Sequence, residues 1–264
     1  MSIIEAIILG FIQGLTEFIP ISSSGHLVIA QTLFSGASNH LFLEWINLGT
    51  LLALLVYFRA RILTILIDIF QNKNYRLARN IIITAVPAGI VGFVLADFIA
   101  DTLFFNSAVT VVFTLAIVGV VMILLDRLPK ASPVASGEKL SSGRALVIGL
   151  AQIMALIPGV SRSGSTIITG RLMGLKAAEA AEYSFLASLP IMFGVTLKLL
   201  MSSGDRQYFI DNAAMLTLSN VCAFISGLIA VGFLMRYLSN HSLALFGWYR
   251  VGLAGVLAVI LLVQ

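Results

Sequence analysis

Long apolar runs dominate the chain, and six of them are long enough to cross a membrane. A transmembrane helix needs about 20 predominantly apolar residues. We therefore predict six transmembrane helices, at about 43–58, 80–98, 107–126, 182–201, 213–237 and 244–263.

Two further apolar stretches, 3–34 and 145–173, are interrupted near their middle by Pro, Gly and Ser. Each half has only about 11–16 residues, which at 1.5 Å per residue is too short for a hydrocarbon core of about 30 Å. Broken backbone is tolerated at membrane depth only where protein buries it or a polar cavity hydrates it. We interpret both stretches as re-entrant helix–loop–helix pairs.

The two interrupted stretches also resemble each other. An offset of 139 residues aligns SSSGH at 22–26 with SRSGS at 161–165 without a gap, and Gln13 with Gln152. The same offset carries the first three predicted spans onto the last three. The polar matches and the span register together indicate an internal repeat.

The repeat has a topological consequence. A re-entrant pair returns to the side from which it entered, and three spans then move the chain across, so the second copy begins on the opposite side. This predicts an all-α polytopic membrane protein with an inverted-topology repeat, whose functional site lies near the midplane. We expect a single membrane domain over 1–264, with repeat one at about 1–128, a linker at about 129–143 and repeat two at about 144–264.

Composition agrees with a membrane protein. Hydrophobic residues make up 59% and charged residues 11% of the chain, and the mean hydropathy is +1.03. In soluble domains about 45–50% of residues are apolar and about 25% are charged. The single cysteine excludes an internal disulfide and a cysteine cluster for a metal. The pI near 9.4 is better explained by loop charges that set orientation than by nucleic-acid binding.

Basic residues are concentrated on one predicted side of the membrane. The other side carries only Lys198 and Arg206. By the positive-inside rule the basic side is cytoplasmic, so the first re-entrant pair enters from outside. The basic side comprises Arg59, Arg61, Lys73, Arg76, Arg79, Arg127, Lys130, Lys139, Arg144, Arg171, Lys176, Arg236 and Arg250.

Small and polar residues share one face of the first half-helix. Gly10, Gln13, Gly14 and Glu17 recur at helical spacing, and such a stripe faces protein or water rather than lipid. An ionisable group at membrane depth is a functional hypothesis by default. The alternative for Glu17 is an interhelical hydrogen bond from its protonated form.

Both re-entrant pairs restart with serine and glycine. Serine is a good helix N-cap, and a helix N-terminus offers free N–H groups and partial positive charge to an anion. The second pair adds Arg162, whose planar guanidinium remains charged and needs a counter-anion, either Glu17 or a bound phosphate. A purely structural Arg–Glu pair would leave the surrounding hydroxyls and glycines unexplained. We therefore predict an anion site lined by Gln13, Ser22, Ser24, Gly25, Ser161, Ser163, Gly164 and Thr166.

His26 is the only histidine in a predicted intramembrane segment. Beside Ser, Glu and Arg it is a candidate base or nucleophile near neutral pH. Ser23 is a candidate nucleophile or phosphate contact, with Ser22 and Ser24 as competitors for that role. Attack by His26, by Ser23 or by water stays open, and Glu44 is either a loop-edge charge or a supporting group.

The two motifs identify a family. QGLTEFIPISSSGH at 13–26 and PGVSRSGST at 158–166 closely resemble the signature regions of the undecaprenyl-diphosphate phosphatases, also known as bacitracin-resistance proteins, and length and span pattern agree over the whole chain. The family's first motif has Glu or Gln, three residues, then Glu. Here it reads Gln13 and Glu17, so the second carboxylate that some members offer to a metal is an amide.

The resemblance implies hydrolysis of undecaprenyl diphosphate to the monophosphate and inorganic phosphate. This recycles the carrier lipid for peptidoglycan synthesis and lowers bacitracin sensitivity. It also implies a bacterial inner-membrane location with the site facing outward, and a divalent cation, Mg²⁺ or Ca²⁺, held in part by Glu17. The catalytic residues are then Glu17, Ser23, His26 and Arg162. A polyprenyl-phosphate flippase is the alternative, because secondary transporters also use broken helices in inverted repeats; membrane lipids and a second copy in a homodimer are the other expected partners.

Overall fold

A computed structural model describes residues 1–34 and 40–263. Within these ranges the backbone is helical and forms no β-strand; an isolated bridge joins Val134 and Leu175. Six of the described helices are long and apolar enough to cross a membrane, which confirms the six predicted spans. They are α3 (His40–Tyr57), α5 (Arg76–Val94), α7 (Ala108–Leu124), α10 (Ala177–Met201), α12 (Ala213–Leu238) and α13 (Ala244–Val263).

Several of these helices begin before the apolar run does. The second span starts at Arg76 rather than 80, and the fourth at Ala177 rather than 182. Their first turns mix alanine or leucine with arginine or glutamate, so they form helix readily but have a lower mean hydropathy than the apolar run. The apolar runs therefore locate the spans, but in these helices they place the first residue too late in the sequence.

Each interrupted stretch forms two short helices around a break. The first consists of α1 (Ile3–Phe18) and α2 (Ser23–Phe34), and the second of α8 (Ser142–Ile153), a 3₁₀ turn (Met154–Leu156) and α9 (Arg162–Leu172). The longest of these four α-helices has 16 residues, or about 24 Å at 1.5 Å per residue. The predicted breaks are therefore present, and we call the two units hairpin 1 and hairpin 2.

The connecting segments contain structure that the charge pattern concealed. The basic stretch 59–79 contains α4 (Arg59–Phe70), and two further helices, α6 (Ala96–Asp101) and α11 (Ser203–Asp211), follow α5 and α10. The remaining 3₁₀ turns are Leu103–Asn106, Leu125–Arg127 and Gly137–Lys139. Basic residues are good helix formers, so a loop assigned from charge alone can be helical.

The linker after α7 is fixed to the helices around it. Arg144 donates to the carbonyl of Ser132 at 2.9 Å, and Asn80 donates to the carbonyls of Gly137 and Leu140 at 3.2 and 2.9 Å. Side-chain amide and guanidinium donors thus satisfy backbone oxygens that have no helical partner.

Glycines allow the two half-helices to approach spans closely. Helix α1 packs along α12, and α8 packs along α5. A Cβ at Gly149 of α8 would lie 2.7 Å from the carbonyl oxygen of Thr84 in α5. Small residues at helix contacts of this kind let the backbones pack closely. Close packing matters inside a membrane because the lipid tails are as apolar as the side chains, so the hydrophobic effect does not drive the helices together.

This packing gives a stability prediction. Gly149→Ala is expected to destabilise the fold by about 1–3 kcal/mol, because the added methyl must displace backbone. Gly143 lies in the same helix with nothing within 4 Å of an added Cβ, so Gly143→Ala is the matched control and should gain up to about 1 kcal/mol from helix propensity. Thermal unfolding in detergent measures both, and equal midpoints for the two variants would contradict the close approach.

Candidate active site

The break of hairpin 1 ends in a residue with unusual backbone. Ser22 has a φ of 75°, a value that non-glycine residues seldom adopt. Residues with such backbone angles are often found at functional sites. Its hydroxyl accepts from the N–H of Gly25 at 3.4 Å and lies 3.3 Å from the hydroxyl of Ser24. This bond ties the chain before α2 to the first turn of that helix.

Hairpin 2 repeats this local structure. Ser161 has a φ of 73°, its hydroxyl accepts from the N–H of Gly164 at 3.1 Å, and it lies 3.1 Å from the hydroxyl of Ser163. Ser161 is the residue 139 positions after Ser22. The sequence match between the hairpins therefore extends to backbone angle and hydrogen bonding.

The two hairpins contact each other through Glu17 of hairpin 1 and the start of α9 in hairpin 2. Arg162 Nη2 donates to Glu17 Oε1 at 2.5 Å, and Ser163 Oγ donates to the backbone carbonyl of Glu17 at 3.3 Å. The ion pair is mostly buried, with 19% of the Arg162 and 13% of the Glu17 side chain exposed. Charge-assisted bonds at such a position are stronger than neutral ones.

The second carboxylate oxygen of Glu17 is also occupied. It accepts from Ser23 Oγ at 2.6 Å and from Gln13 Nε2 at 3.2 Å. The same amide nitrogen donates to Asn47 Oδ1 of α3 at 2.5 Å. The predicted residues Gln13, Glu17, Ser23 and Arg162 thus form one connected network, to which α3 adds Asn47.

His26 is held by a different set of partners. Its Nδ1 lies 2.7 Å from the carbonyl oxygen of Ser22, and its Nε2 lies 2.8 Å from the hydroxyl of Tyr249, whose ring stacks on the imidazole at 5.7 Å. A carbonyl only accepts, so Nδ1 carries the proton and the basic Nε2 accepts from Tyr249. The hydroxyl of Ser23 donates to Glu17 and not to His26.

The remaining predicted residues lie at different depths. Ser24 is exposed, whereas Gly25, Ser163 and Gly164 are buried. Thr166 is 1% exposed; its hydroxyl donates to the carbonyl of Arg162 at 2.8 Å and lies 2.5 Å from that of Ser184. Thr166 therefore contacts α10, one helical turn behind the guanidinium.

One donor at the junction has no protein partner. Arg162 Nη1 is a buried nitrogen without a hydrogen bond among the described residues. Buried donors of this kind are costly unless something pairs with them. The first turns of α2 and α9 also leave backbone N–H groups without intrahelical acceptors. The junction therefore offers unpaired donors and positive charge, which suits an anion.

The described residues offer little to a resident metal. They contain no group of three or more His, Cys, Asp or Glu side chains that could hold a metal ion. At the junction Glu17 supplies the carboxylate, and its two oxygens already accept three donors. The side chains therefore fit a cation whose other ligands come from a bound anion and water, as is usual for Mg²⁺.

A family model described as bacitracin resistance protein BacA matches residues 6–256. The chain belongs to this family. Curated relatives include undecaprenyl-diphosphatase 2 of Paramagnetospirillum magneticum, 34% identical over 99% of this chain and 100% of the relative. Undecaprenyl-diphosphatases of Nitrosomonas europaea and Pseudomonas syringae are 37% and 39% identical, over 95% and 94% of this chain and 91% and 90% of theirs. With its six apolar helices, this BacA family member is a multi-pass membrane protein.

The sequence analysis missed residues of α13. Arg250 was counted among the charges of the basic side, but the structure buries it completely inside a candidate span, so it is not a loop charge. Tyr249 was not among the predicted site residues, yet its hydroxyl lies 2.8 Å from Nε2 of His26. A single arginine well inside the apolar run 244–263 was the signal available in the sequence, since an intramembrane cation is expensive and needs partners.

Proposed function

We propose that this protein hydrolyses undecaprenyl diphosphate to undecaprenyl phosphate and inorganic phosphate. The buried Nη1 of Arg162 carries this proposal, because it has no hydrogen-bond partner among the described residues and needs an anionic acceptor. Arg162 begins α9, and Glu17 links it to Ser23 at the start of α2. The names of the relatives supply the substrate, and family membership supports a role in carrier recycling and bacitracin resistance.

The same proposal includes the arrangement in the membrane. Hairpins 1 and 2 enter from opposite sides as parts of an inverted repeat, in a bacterial inner membrane with the site open to the outer face. The similar positive φ angles at Ser22 and Ser161, 75° and 73°, support the repeat. Helix pairing supports it as well: the first half-helix of each hairpin packs on the second span of the other repeat, α1 on α12 and α8 on α5, and the two third spans, α7 and α13, pack together.

The hydrogen bonds favour Ser23 as the nucleophile. Its hydroxyl donates to Glu17 at 2.6 Å, so Glu17 accepts the proton as Ser23 Oγ attacks the terminal phosphorus. The bond from that phosphorus to the bridging oxygen breaks, and undecaprenyl phosphate leaves. Arg162 donates to the phosphoryl oxygens, where positioning and charge stabilisation supply most of the rate acceleration.

His26 acts in the second half of this scheme. Water attacks the phosphoserine and gives its proton to Nε2 of His26. Before this step, Nε2 is hydrogen-bonded to the hydroxyl of Tyr249 at 2.8 Å. The Ser23 oxygen leaves with the proton from Glu17, and inorganic phosphate is released. This division of roles follows the hydrogen-bond partners, since Ser23 is bonded to Glu17 and not to the imidazole.

A divalent cation, Mg²⁺ or Ca²⁺, would be held by Glu17 together with phosphate oxygens and water. It would neutralise negative charge on the diphosphate. With a single junction carboxylate, already bonded to Arg162, the cation is expected to arrive with the substrate rather than to reside in the empty protein. The predicted homodimer and the division into repeats remain predictions.

A detergent assay tests the proposal. Purified protein in detergent, without a sealed compartment, is expected to release inorganic phosphate from a prenyl diphosphate, and a chelator is expected to suppress the release. Transport needs two compartments and hydrolysis does not, so the assay separates the phosphatase from the flippase alternative, which the relatives' names do not support. Absence of phosphate release in the presence of Mg²⁺ and Ca²⁺ would exclude the phosphatase.

A further inference from the structure

Arg250 lies seven residues into α13 and is 0% exposed. Among the described residues, its guanidinium donates hydrogen bonds to backbone carbonyls alone. The acceptors are Gly159 at 2.5 Å, Pro20 at 3.2 Å, Thr114 at 3.4 Å and Leu115 at 3.5 Å. A cation buried at this depth is costly, so a compensating role is expected of it.

Two of these acceptors are the break carbonyls of the two hairpins. Pro20 follows α1, and Gly159 lies 139 residues later at the equivalent position of hairpin 2. Backbone oxygens at a helix break have no intrahelical donor, and inside a membrane they need a protein partner. One guanidinium thus satisfies the same unpaired oxygen in both repeats.

These carbonyls adjoin the candidate active site. Pro20 lies two residues before Ser22, and Gly159 lies two residues before Ser161. The planar guanidinium presents its donors in a fixed fork, so binding both oxygens fixes the distance and angle between the two breaks. The breaks in turn determine where α2 and α9 begin and which way their N-termini point.

We propose that Arg250 is a positioning residue, which locks the breaks of the two hairpins together so that Glu17 and Arg162 face one bound diphosphate. This role rests on the proposed function only for the identity of the anion. It differs from the role of Arg162, because Arg250 has no carboxylate among its partners and bonds to backbone alone.

Arg250→Lys tests this role, because a lysine keeps the charge but cannot span both carbonyls. The variant is expected to remain folded in detergent, to bind inorganic diphosphate about tenfold more weakly by calorimetry, and to lose up to about 10²-fold in kcat, as small misplacements of reacting groups do. Arg236→Lys is the matched control, since Arg236 is an exposed arginine near the end of α12, and it should leave both quantities unchanged.

The diphosphate affinity separates positioning from mere stability. A variant that only folds less completely would lose active protein and kcat while its dissociation constant for diphosphate stayed at the wild-type value, and that result would overturn the proposal. Failure of Arg250→Lys to fold would overturn it too. If the wild-type protein binds diphosphate but releases no phosphate from a prenyl diphosphate, the proposed function fails while the affinity comparison still tests Arg250.

A double-variant measurement adds a second criterion. In the Arg162→Lys background the guanidinium that the alignment positions is gone, so the alignment contributes less to diphosphate binding. Arg250→Lys should therefore reduce the affinity clearly less in that background than in the wild type. Residues that act through one constellation are non-additive in this way, whereas independent effects multiply. Equal losses in the two backgrounds would contradict the positioning role.

Discussion

Arg162→Lys is expected to lower kcat/KM for phosphate release by about 10²–10³-fold, the cost of losing one donor to developing charge in an active site. In the wild type, Nη2 is bonded to Glu17 while Nη1 is buried and unpaired. The guanidinium can therefore hold the carboxylate and a phosphate at the same time. A lysine offers one ammonium on a flexible stem and cannot reproduce both contacts in that geometry. Released phosphate in detergent and the affinity for inorganic diphosphate measure the loss.

The protein contains a matched control for this substitution. Arg61 pairs with Glu182 of another helix at 2.9 Å, with 32% and 29% of the two side chains exposed. Partly exposed pairs contribute about 0–1 kcal/mol, so Arg61→Lys is expected to leave turnover close to the wild-type rate. Near-normal turnover of Arg162→Lys would refute a role for the guanidinium fork in holding phosphate.

The Arg162–Glu17 contact was one of two alternatives that the sequence left open, the other being a bound phosphate, because both residues are exceptional where they occur. A charged group in an apolar, broken helix has few possible explanations, and both residues lie beside a break, Glu17 before the break of hairpin 1 and Arg162 after the break of hairpin 2. The distance between them, 2.5 Å, is a product of tertiary packing across 145 positions of sequence, whereas charge and topology gave Glu17 as one of two candidate partners.

The partners of His26 could not be predicted in the same way. Ser23 and His26 are three residues apart, which places them on one helical face, and the sequence left open whether His26, Ser23 or water attacks. The structure bonds Ser23 to Glu17, and His26 to Tyr249, which is 223 positions away in the chain. Helical spacing gives neighbours on one helix, whereas these partners come from other helices.

Arg250 was missed because charge counting ignores depth. The positive-inside rule assigns a basic residue to whichever side its segment is nearest, and Arg250 was counted with the cytoplasmic loops. The structure surrounds it with Pro20, Gly159 and two carbonyls of α7. A sequence does not show that the backbone carbonyls at two helix breaks can accept from one arginine unless the breaks are known to lie close together.

Glu17→Gln is the substitution that separates binding from chemistry at this site, and it is expected to lower kcat by about 10²–10⁴-fold, the range for loss of a general base. Glutamine keeps the shape of the side chain but cannot accept the proton of Ser23, which the carboxylate binds at 2.6 Å. Binding of inorganic diphosphate should be unchanged or tighter, because the guanidinium of Arg162 then has no protein counter-charge. Arg162→Lys should weaken that binding, so only the Arg162 variant is predicted to lose affinity for diphosphate.

The matched control is Glu182→Gln, in the more exposed pair with Arg61, which should leave kcat and diphosphate affinity unchanged. Magnesium dependence distinguishes a second role for Glu17. If the carboxylate served only to hold a divalent cation, a higher Mg²⁺ concentration would restore the turnover of Glu17→Gln, because a weakened site fills at higher ligand concentration. Proton acceptance from Ser23 predicts no such recovery, since an amide is not a base at any metal concentration. Recovery of the wild-type rate would therefore reassign Glu17 from base to metal ligand.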